Sequence, residues 1–163
     1  MKKRLPLILV TLYPYLIILS FLGLFEKSVS FIFPVLVVLY FVVLICSIGT
    51  LYTAIVNKRD EQELLRMNMI MKVVQIPSYI LIFICALICL STIFTFALSF
   101  FLLFLDCFTI FLTGLVGVAA IIRACEEGKL TRRSAVIHGL LQFVFCIDVI
   151  SAIIVYVKAK RHK

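Results

Sequence analysis

The chain has 163 residues, 64% of them hydrophobic and 15% charged, with a mean hydropathy of +1.24. Soluble domains hold roughly 45–50% apolar and about 25% charged residues, so this chain has too few polar side chains to cover a globule in water. A soluble enzyme, a nucleic-acid-binding module and a disordered chain are excluded. The net charge of +8 sits in short clusters between apolar runs, the pattern by which membrane proteins set their orientation.

Lys2, Lys3 and Arg4 precede an uncharged run at 5–24. The run exceeds the 7–15 residues of a signal-peptide core and no small-residue cleavage site follows, so a retained first helix is expected. After a link at 25–30 with Glu26 and Lys27, residues 31–56 form a second uncharged run. Residues 57–66 (NKRDEQELLR) are the most polar stretch. No charge occurs from 73 to 105, and apart from Asp106 the apolar character continues to Ile122, enough for two helices. A charged segment at 123–134 precedes a last apolar run at 135–157 and a basic tail.

A bilayer core about 30 Å thick takes roughly 20 helical residues, and only helices or closed barrels satisfy the backbone in hydrocarbon. Barrel strands are segments of about ten alternating residues; these runs are longer and continuous. The expected fold is all-α: one integral-membrane domain over 1–163, a bundle of five transmembrane helices near 5–24, 31–56, 68–90, 97–122 and 135–157, with no soluble domain. The break between the third and fourth falls at Ser91, Thr92 and Thr95. Pro14 and Pro77 lie inside helices, where each frees a carbonyl one turn earlier and favours a bend. Pro6 and Pro34 lie near helix starts, where proline is tolerated.

Five crossings with the N-terminus in the cytoplasm place 11 Lys and Arg inside and 5 outside, four of the five in the tail. The opposite orientation reverses the count, so the positive-inside rule favours a cytoplasmic N-terminus. The tail residues Lys158, Lys160, Arg161 and Lys163 conflict with that arrangement. A last segment that did not cross would give 15 to 1. Yet this segment has no proline and only Gly139, near one end, so nothing signals a central turn. Five crossings are expected and the side of the tail stays open.

At 100° per residue, Asn68, Lys72, Gln75 and Tyr79 share one face of the third helix. Asp106, Thr109, Thr113, Gly117, Ala120 and Ala124 form a stripe on the fourth, and His138, Gln142 and Asp148 share a broader face of the fifth. Polar groups in hydrocarbon are costly and face the bundle interior, so the three faces are expected to meet. Small residues such as Gly117 and Ala120 let helices approach closely, and helix packing is the plainer reading of that stripe. Helix two has a fainter stripe at Ser47, Thr50 and Ala54. Lys72, near the expected helix start, can snorkel to the headgroups, and His138 is expected at an interface. Asp106 and Asp148 are too short to snorkel. Counted from the 123–134 loop they lie roughly 24 Å and 20 Å deep, so they are expected to pair with each other or with Thr109.

Six cysteines occur with no C-x-x-C, five inside expected spans. Cys85 and Cys89 share a helix face, but i,i+4 side chains stand about 5–6 Å apart at Cβ, beyond disulfide reach. Two histidines and no ligand cluster give no zinc site. There is no H-E-x-x-H, G-x-S-x-G or phosphate-binding glycine loop, and the surroundings of Asp106 and Asp148 lack the glycine-rich context of intramembrane aspartyl proteases. No cofactor, metal or catalytic residue is expected. The basic loops lack interleaved aromatics, so they read as orientation signals and contacts to anionic lipid.

The stretches Asn68-Met-Ile-Met-Lys72-x-x-Gln75-Ile-Pro77-x-Tyr79, Asp106-Cys-Phe-Thr109-Ile-x-x-Thr113-Gly114 and His138-Gly-Leu-Leu-Gln142-Phe-x-Phe-x-x-Asp148-Val resemble a group of small multi-pass membrane proteins of Gram-positive bacteria with no assigned activity. The resemblance covers about residues 68–157 and implies a bacterial plasma-membrane location. The leading functional expectation is a non-enzymatic interaction or regulatory component, acting through a membrane-protein partner or a second copy of itself. The alternative is a small-solute or proton- or cation-coupled transporter, or the substrate-binding subunit of one, built on the polar faces of helices three to five. A membrane enzyme comes third.

Overall fold

A computed structural model describes residues 5–23, 29–91 and 93–161. The basic cluster Lys2, Lys3 and Arg4, the link residues Glu26 and Lys27, Thr92 of the expected break, and Lys163 of the tail lie outside the described residues. Within them are six α-helices and no strand: α1 (Leu5–Gly23), α2 (Val29–Val56), α3 (Glu61–Leu90), α4 (Phe96–Glu126), α5 (Arg132–Leu141) and α6 (Ile147–Arg161). One turn of 3-10 helix, Ile93–Thr95, links α3 to α4. Among the described residues three segments are long and apolar enough to cross a membrane, Pro34–Val56, Glu61–Leu90 and Ile93–Glu126, and a shorter apolar helix runs over Leu7–Leu19.

The polar stretch before the third span is not a loop throughout. Asp60 caps α3 by accepting a hydrogen bond from the Glu63 N–H at 2.9 Å. Glu61 and Glu63 place negative charge at the helix's positive end. The helix therefore starts seven residues before the expected position 68. Its partner α4 runs to Glu126 and stops in a Schellman turn: Lys129 N–H bonds to Ala124 O at 3.0 Å and Gly128 N–H to Cys125 O at 3.1 Å. Gly128 takes φ +73 there, a conformation other residues adopt only with strain.

Helix α4 is the most buried of the three candidate spans. Against α3 it keeps one antiparallel register, seen in the bonds Lys72 Nζ to Thr113 Oγ1 and Ser99 Oγ to Ala86 O, both 2.8 Å. Leu7, Val10, Tyr13, Met71, Leu112 and Val116 share one apolar cluster. Ile82, Ala86 and Leu102 close another toward the 91–95 turn, with Ile18 against them. Thus α1 runs parallel to α3. Ser47, Thr50 and Ala54 are buried on the inner face of α2. The outward side chains are apolar on every side, from Ile45 on α2 to Phe104 on α4 and Leu140 on α5, and Phe94 in the 3-10 turn is 100% exposed.

The expected fifth spanning helix is two helices. The chain leaves α5 at Leu141, turns through 142–146 and returns as α6. His138 Nδ1 and Ser151 Oγ meet at 2.9 Å across the hairpin. Val155 and Ala159 pack with Leu64, Leu65, Ala120 and Ala124, so α6 ends where α3 begins and α4 ends. Lys158, Lys160 and Arg161 therefore lie at the same end as the 57–60 and 127–131 loops. A straight helix would carry Asp148 about 24 Å from Arg132, past Lys72, which stands about 16 Å from Glu61. The turn brings the two charges together. At this loop end Lys129 pairs with Glu61, Arg123 with Glu126 and Glu127, and Arg123 Nε donates to Arg59 O at 3.1 Å.

Candidate functional site

Lys72 points into the bundle rather than toward an interface. With α3 starting at Glu61 it lies in the fourth turn, and its side chain is 0% exposed. Its ammonium donates to three oxygens: Asp148 Oδ2 at 2.5 Å, Thr113 Oγ1 at 2.8 Å and the Gln142 main-chain carbonyl at 3.5 Å. Each comes from a different element: the first turn of α6, the middle of α4, and the C-terminal end of α5. The polarity of the backbone matches. The negative end of α5 faces the cation, and the carboxylate of Asp148 sits at the positive end of α6, where its Oδ1 accepts from the Val149 N–H at 2.8 Å. Thr113 in turn donates back to its own helix, to Thr109 O or Ile110 O at 3.1 Å, leaving its lone pairs for Lys72.

Two glycines of α4 make room for this turn. A Cβ built on Gly117 would stand 2.6 Å from Gln142 Cδ, and one on Gly114 would stand 2.6 Å from the Phe143 ring and 3.2 Å from Gln142 O. Phe143 then lies beside Phe111 of α4 (ring centroids 6.0 Å apart) while Phe145 reaches Tyr79 and Phe83 of α3 (5.9 and 6.2 Å). The turn thus straddles the α3–α4 seam. Gly117 and Ala120, expected as packing residues, are buried; the element packed against Gly117 is the hairpin turn.

Gln75 and Tyr79 answer a different need. Pro14 has no N–H, so the Val10 carbonyl of α1 lacks its intrahelical donor. Gln75 Nε2 supplies one at 3.0 Å, and Gln75 Oε1 accepts from the Tyr79 hydroxyl, also at 3.0 Å. Beside the matching gap at Pro77 in α3, the Tyr15 hydroxyl donates to Val74 O.

The expected pairing of Asp106 with Asp148 is overturned. Asp148 meets Lys72 at the level of Thr113, and Asp106 is seven residues from Thr113, about 10 Å along α4. The depth count assumed a straight 135–157 helix; on the returning leg Asp148 is nearer the loop end. In the α3–α4 register Asp106 stands opposite Tyr79. It is buried, and its Oδ1 has no hydrogen-bond partner among the described residues. The same is true of Asn68 Oδ1 and of both amide atoms of Gln142, which lie one turn from Lys72 toward the loop end. Thr109 donates to Leu105 O at 3.0 Å within α4. His138 is half-buried on α5 and bonded to Ser151, away from the ion pair.

Of the ten polar residues selected by sequence, Lys72, Thr113, Gln142 and Asp148 converge on one point, and Gln75 with Tyr79 forms the next layer. Sequence reasoning missed the Gln142 main-chain carbonyl, the clearance at Gly114 and the Gln75–Val10 bond. Only the last carried a signal: a proline inside a helix announces an unpaired carbonyl four residues earlier.

A family model described as a family of unknown function, DUF6652, matches residues 2–161, nearly the whole chain rather than only the stretch from 68 to 157. The chain belongs to that family. Neither a curated protein nor a solved structure matches it.

Proposed function

We propose that this member of the DUF6652 family is a multi-pass protein of a bacterial cytoplasmic membrane. In this reading α1 to α4 cross, and α5–α6 is a re-entrant hairpin entering from the cytoplasmic side. Charge supports the arrangement: among the described residues ten Lys and Arg fall at the end that holds the 57–60 and 127–131 loops and none at the other end, and in the sequence Lys2, Lys3 and Arg4 precede α1 while Lys27 alone falls between α1 and α2. The conflict raised by a crossing tail disappears, because the tail never leaves the basic side. Large apolar side chains are exposed along α2, α3, α4 and α5, and a soluble monomer exposes few of them together.

Within that membrane protein the working site is the Lys72–Asp148 pair, and the activity is proton- or cation-coupled movement of a small solute, by this chain alone or as the substrate-binding subunit of a carrier. One observation carries the reading: a fully buried ion pair held between the ends of two half-helices. Discontinuous helices use their free backbone dipoles to bind ions and substrates midway through transporters, and ionisable residues in spans mark ion and substrate paths. The small-residue stripe of α4, which would serve a partner if it faced lipid, is buried by the chain's own hairpin.

The test is reconstitution into liposomes loaded with a pH-sensitive dye, a potassium-diffusion potential, and a panel of amines, amino acids and carboxylates. A solute-dependent proton signal that is lost in Lys72→Met supports transport. Folded protein that moves protons no faster than empty liposomes with any solute would rule it out.

A second reading, a partner-binding or regulatory component, is favoured by one feature. A groove of about 590 Å³ opens at the loop end between the start of α3 and the end of α6, lined by Asp60, Glu63, Arg66 and Lys160 with Met67 and Tyr156 among its apolar walls. Its mixture of acidic, basic and apolar walls suits the juxtamembrane segment of another protein.

A further inference from the structure

We propose that the oxygen nest around Lys72 is a monovalent-cation site whose resident cation is the lysine's own ammonium, so that the ion it loads and releases is a proton. Three oxygens of the kinds that bind hard monovalent cations converge on one atom: a carboxylate, a hydroxyl and a main-chain carbonyl at a helix C-terminus. None is drawn from Lys72's own helix, so the nest survives removal of the lysine side chain. One turn toward the loop end, against Gly117, Gln142 Oε1 and Nε2 are buried with no hydrogen-bond partner among the described residues. Asn68 Oδ1, one turn along α3 from Lys72, is likewise buried and without a partner there. An ion pair alone needs only the carboxylate; the hydroxyl and the helix-end carbonyl beside it are what a cation site adds.

A tethered ammonium cannot leave, but its proton can. Release breaks one Nζ–H bond, the electron pair stays on nitrogen, and the proton joins Asp148 Oδ2 and then water; loading reverses each step. While the proton sits on Asp148 both groups are neutral, and once it has passed to water Lys72 is neutral and Asp148 anionic; in neither state does an ion pair hold the tips of α5 and α6, which ties the ion to the hairpin. The charged and titratable groups facing the site are Asp148 from α6, Asp106 from α4 two turns away and Tyr79 from α3. From α5 only half-buried His138 approaches, and it is bonded to Ser151. The proton's use rests on the transport reading; the nest is a binding site and is tested as one.

The experiment is thermal unfolding of purified Lys72→Ala in choline, sodium, potassium and methylammonium chlorides at equal ionic strength. The expected result is an unfolding temperature about 3 °C or more higher in at least one small cation than in choline. The gain should be absent in the wild type and in Lys72→Ala/Asp148→Asn. Folded Lys72→Ala that unfolds at one temperature in all four salts overturns the proposal. If Lys72→Ala gives folded protein only when purified in a small cation, the proposal stands. If no salt rescues it while the apolar swap Lys72→Met/Asp148→Leu folds, the pair is glue and the proposal falls. A cation-binding nest in a protein that moves no solute retires the transport reading alone; a solute signal with a cation-blind nest retires this one.

Discussion

The bond from Gln75 to Val10 joins two helices because of a proline on one of them, and this can be measured as a coupling energy. Gln75→Leu keeps the side-chain volume but removes the donor to Val10 O and the acceptor for the Tyr79 hydroxyl, two bonds of 3.0 Å in a fully buried setting. A buried polar group left unpaired costs about 1–3 kcal/mol, while hydrogen bonds between membrane helices average about 0.6 kcal/mol and reach about 1.7. Two orphans at the lower end give a loss of about 2 kcal/mol. Pro14→Ala restores an N–H that can reach Val10 O from within α1. With Gln75 present that carbonyl already has a donor, so the alanine contributes only its better helix propensity. In the Gln75→Leu variant it also rescues the orphan. Pro14→Ala should therefore stabilise the Gln75→Leu background by about 1–2 kcal/mol more than the wild type, roughly a tenfold difference in the unfolding equilibrium. The assay is reversible unfolding of the four purified variants in mixed micelles, followed by circular dichroism. Additivity within about 0.5 kcal/mol would refute the idea that Gln75 stands in for the missing amide.

Gly117→Leu should lower folded yield in detergent by about 1–3 kcal/mol of overpacking against Gln142, whereas replacing Val118, only half-buried, should leave the yield unchanged. In a cysteine-free variant, a cysteine at Lys160 should react with an impermeant thiol reagent only after cells are opened, as should one at Arg59; labelling of position 160 on intact cells would eliminate the re-entrant hairpin. Asp60→Ala removes the cap of α3 and should lower stability by about 1 kcal/mol, read as earlier unfolding, with Asp60→Asn close to wild type. Lys72→Met alone should destabilise by about 3–5 kcal/mol by stranding Asp148, and adding Asp148→Leu should recover most of it.

The helical character and the three long apolar segments were legible because hydropathy integrates over twenty residues and tolerates local error. The inward faces were legible too, since 100° per residue orders Lys72, Gln75, Tyr79, Asp106, Thr109 and Thr113 without knowledge of partners, and all are buried. The start of α3 was misplaced because the charges of residues 57–66 were weighed as loop, although Asp60 and Glu63 already stood at capping spacing. The hairpin was written nowhere in the local sequence. Its turn is made by Cys146 at φ +64, a position where glycine or asparagine would have announced the reversal. Only the basic tail, misplaced by a crossing helix, argued for it. Partners were illegible for the same reason: which residues meet in depth depends on the path of the chain, and the path was wrong by one turn.

The hairpin also bears on how the molecule is made. If α1 to α4 cross and α5 and α6 enter and leave by one face, no charged residue after Lys72 has to be carried across the bilayer, and only Asp106 and Asp148 are held within it. Insertion reduces to two antiparallel helix pairs whose far connections hold only Glu26 and Lys27 in one and no charge in the other. The second pair enters the lipid with Lys72 lacking its counter-charge, because Asp148 is synthesised 76 residues later. A lone lysine is penalised by about 2.5–3.5 kcal/mol at the centre of a span, less toward its edge. Residues 73–98, which surround the α3–α4 turn, hold no charge, so the pair still goes in. Docking of the hairpin then supplies the missing carboxylate. Until residues 142–148 have emerged the bundle is complete in its crossings and unfinished in its electrostatics, a state in which a membrane chaperone or a protease would have an unpaired cation to recognise.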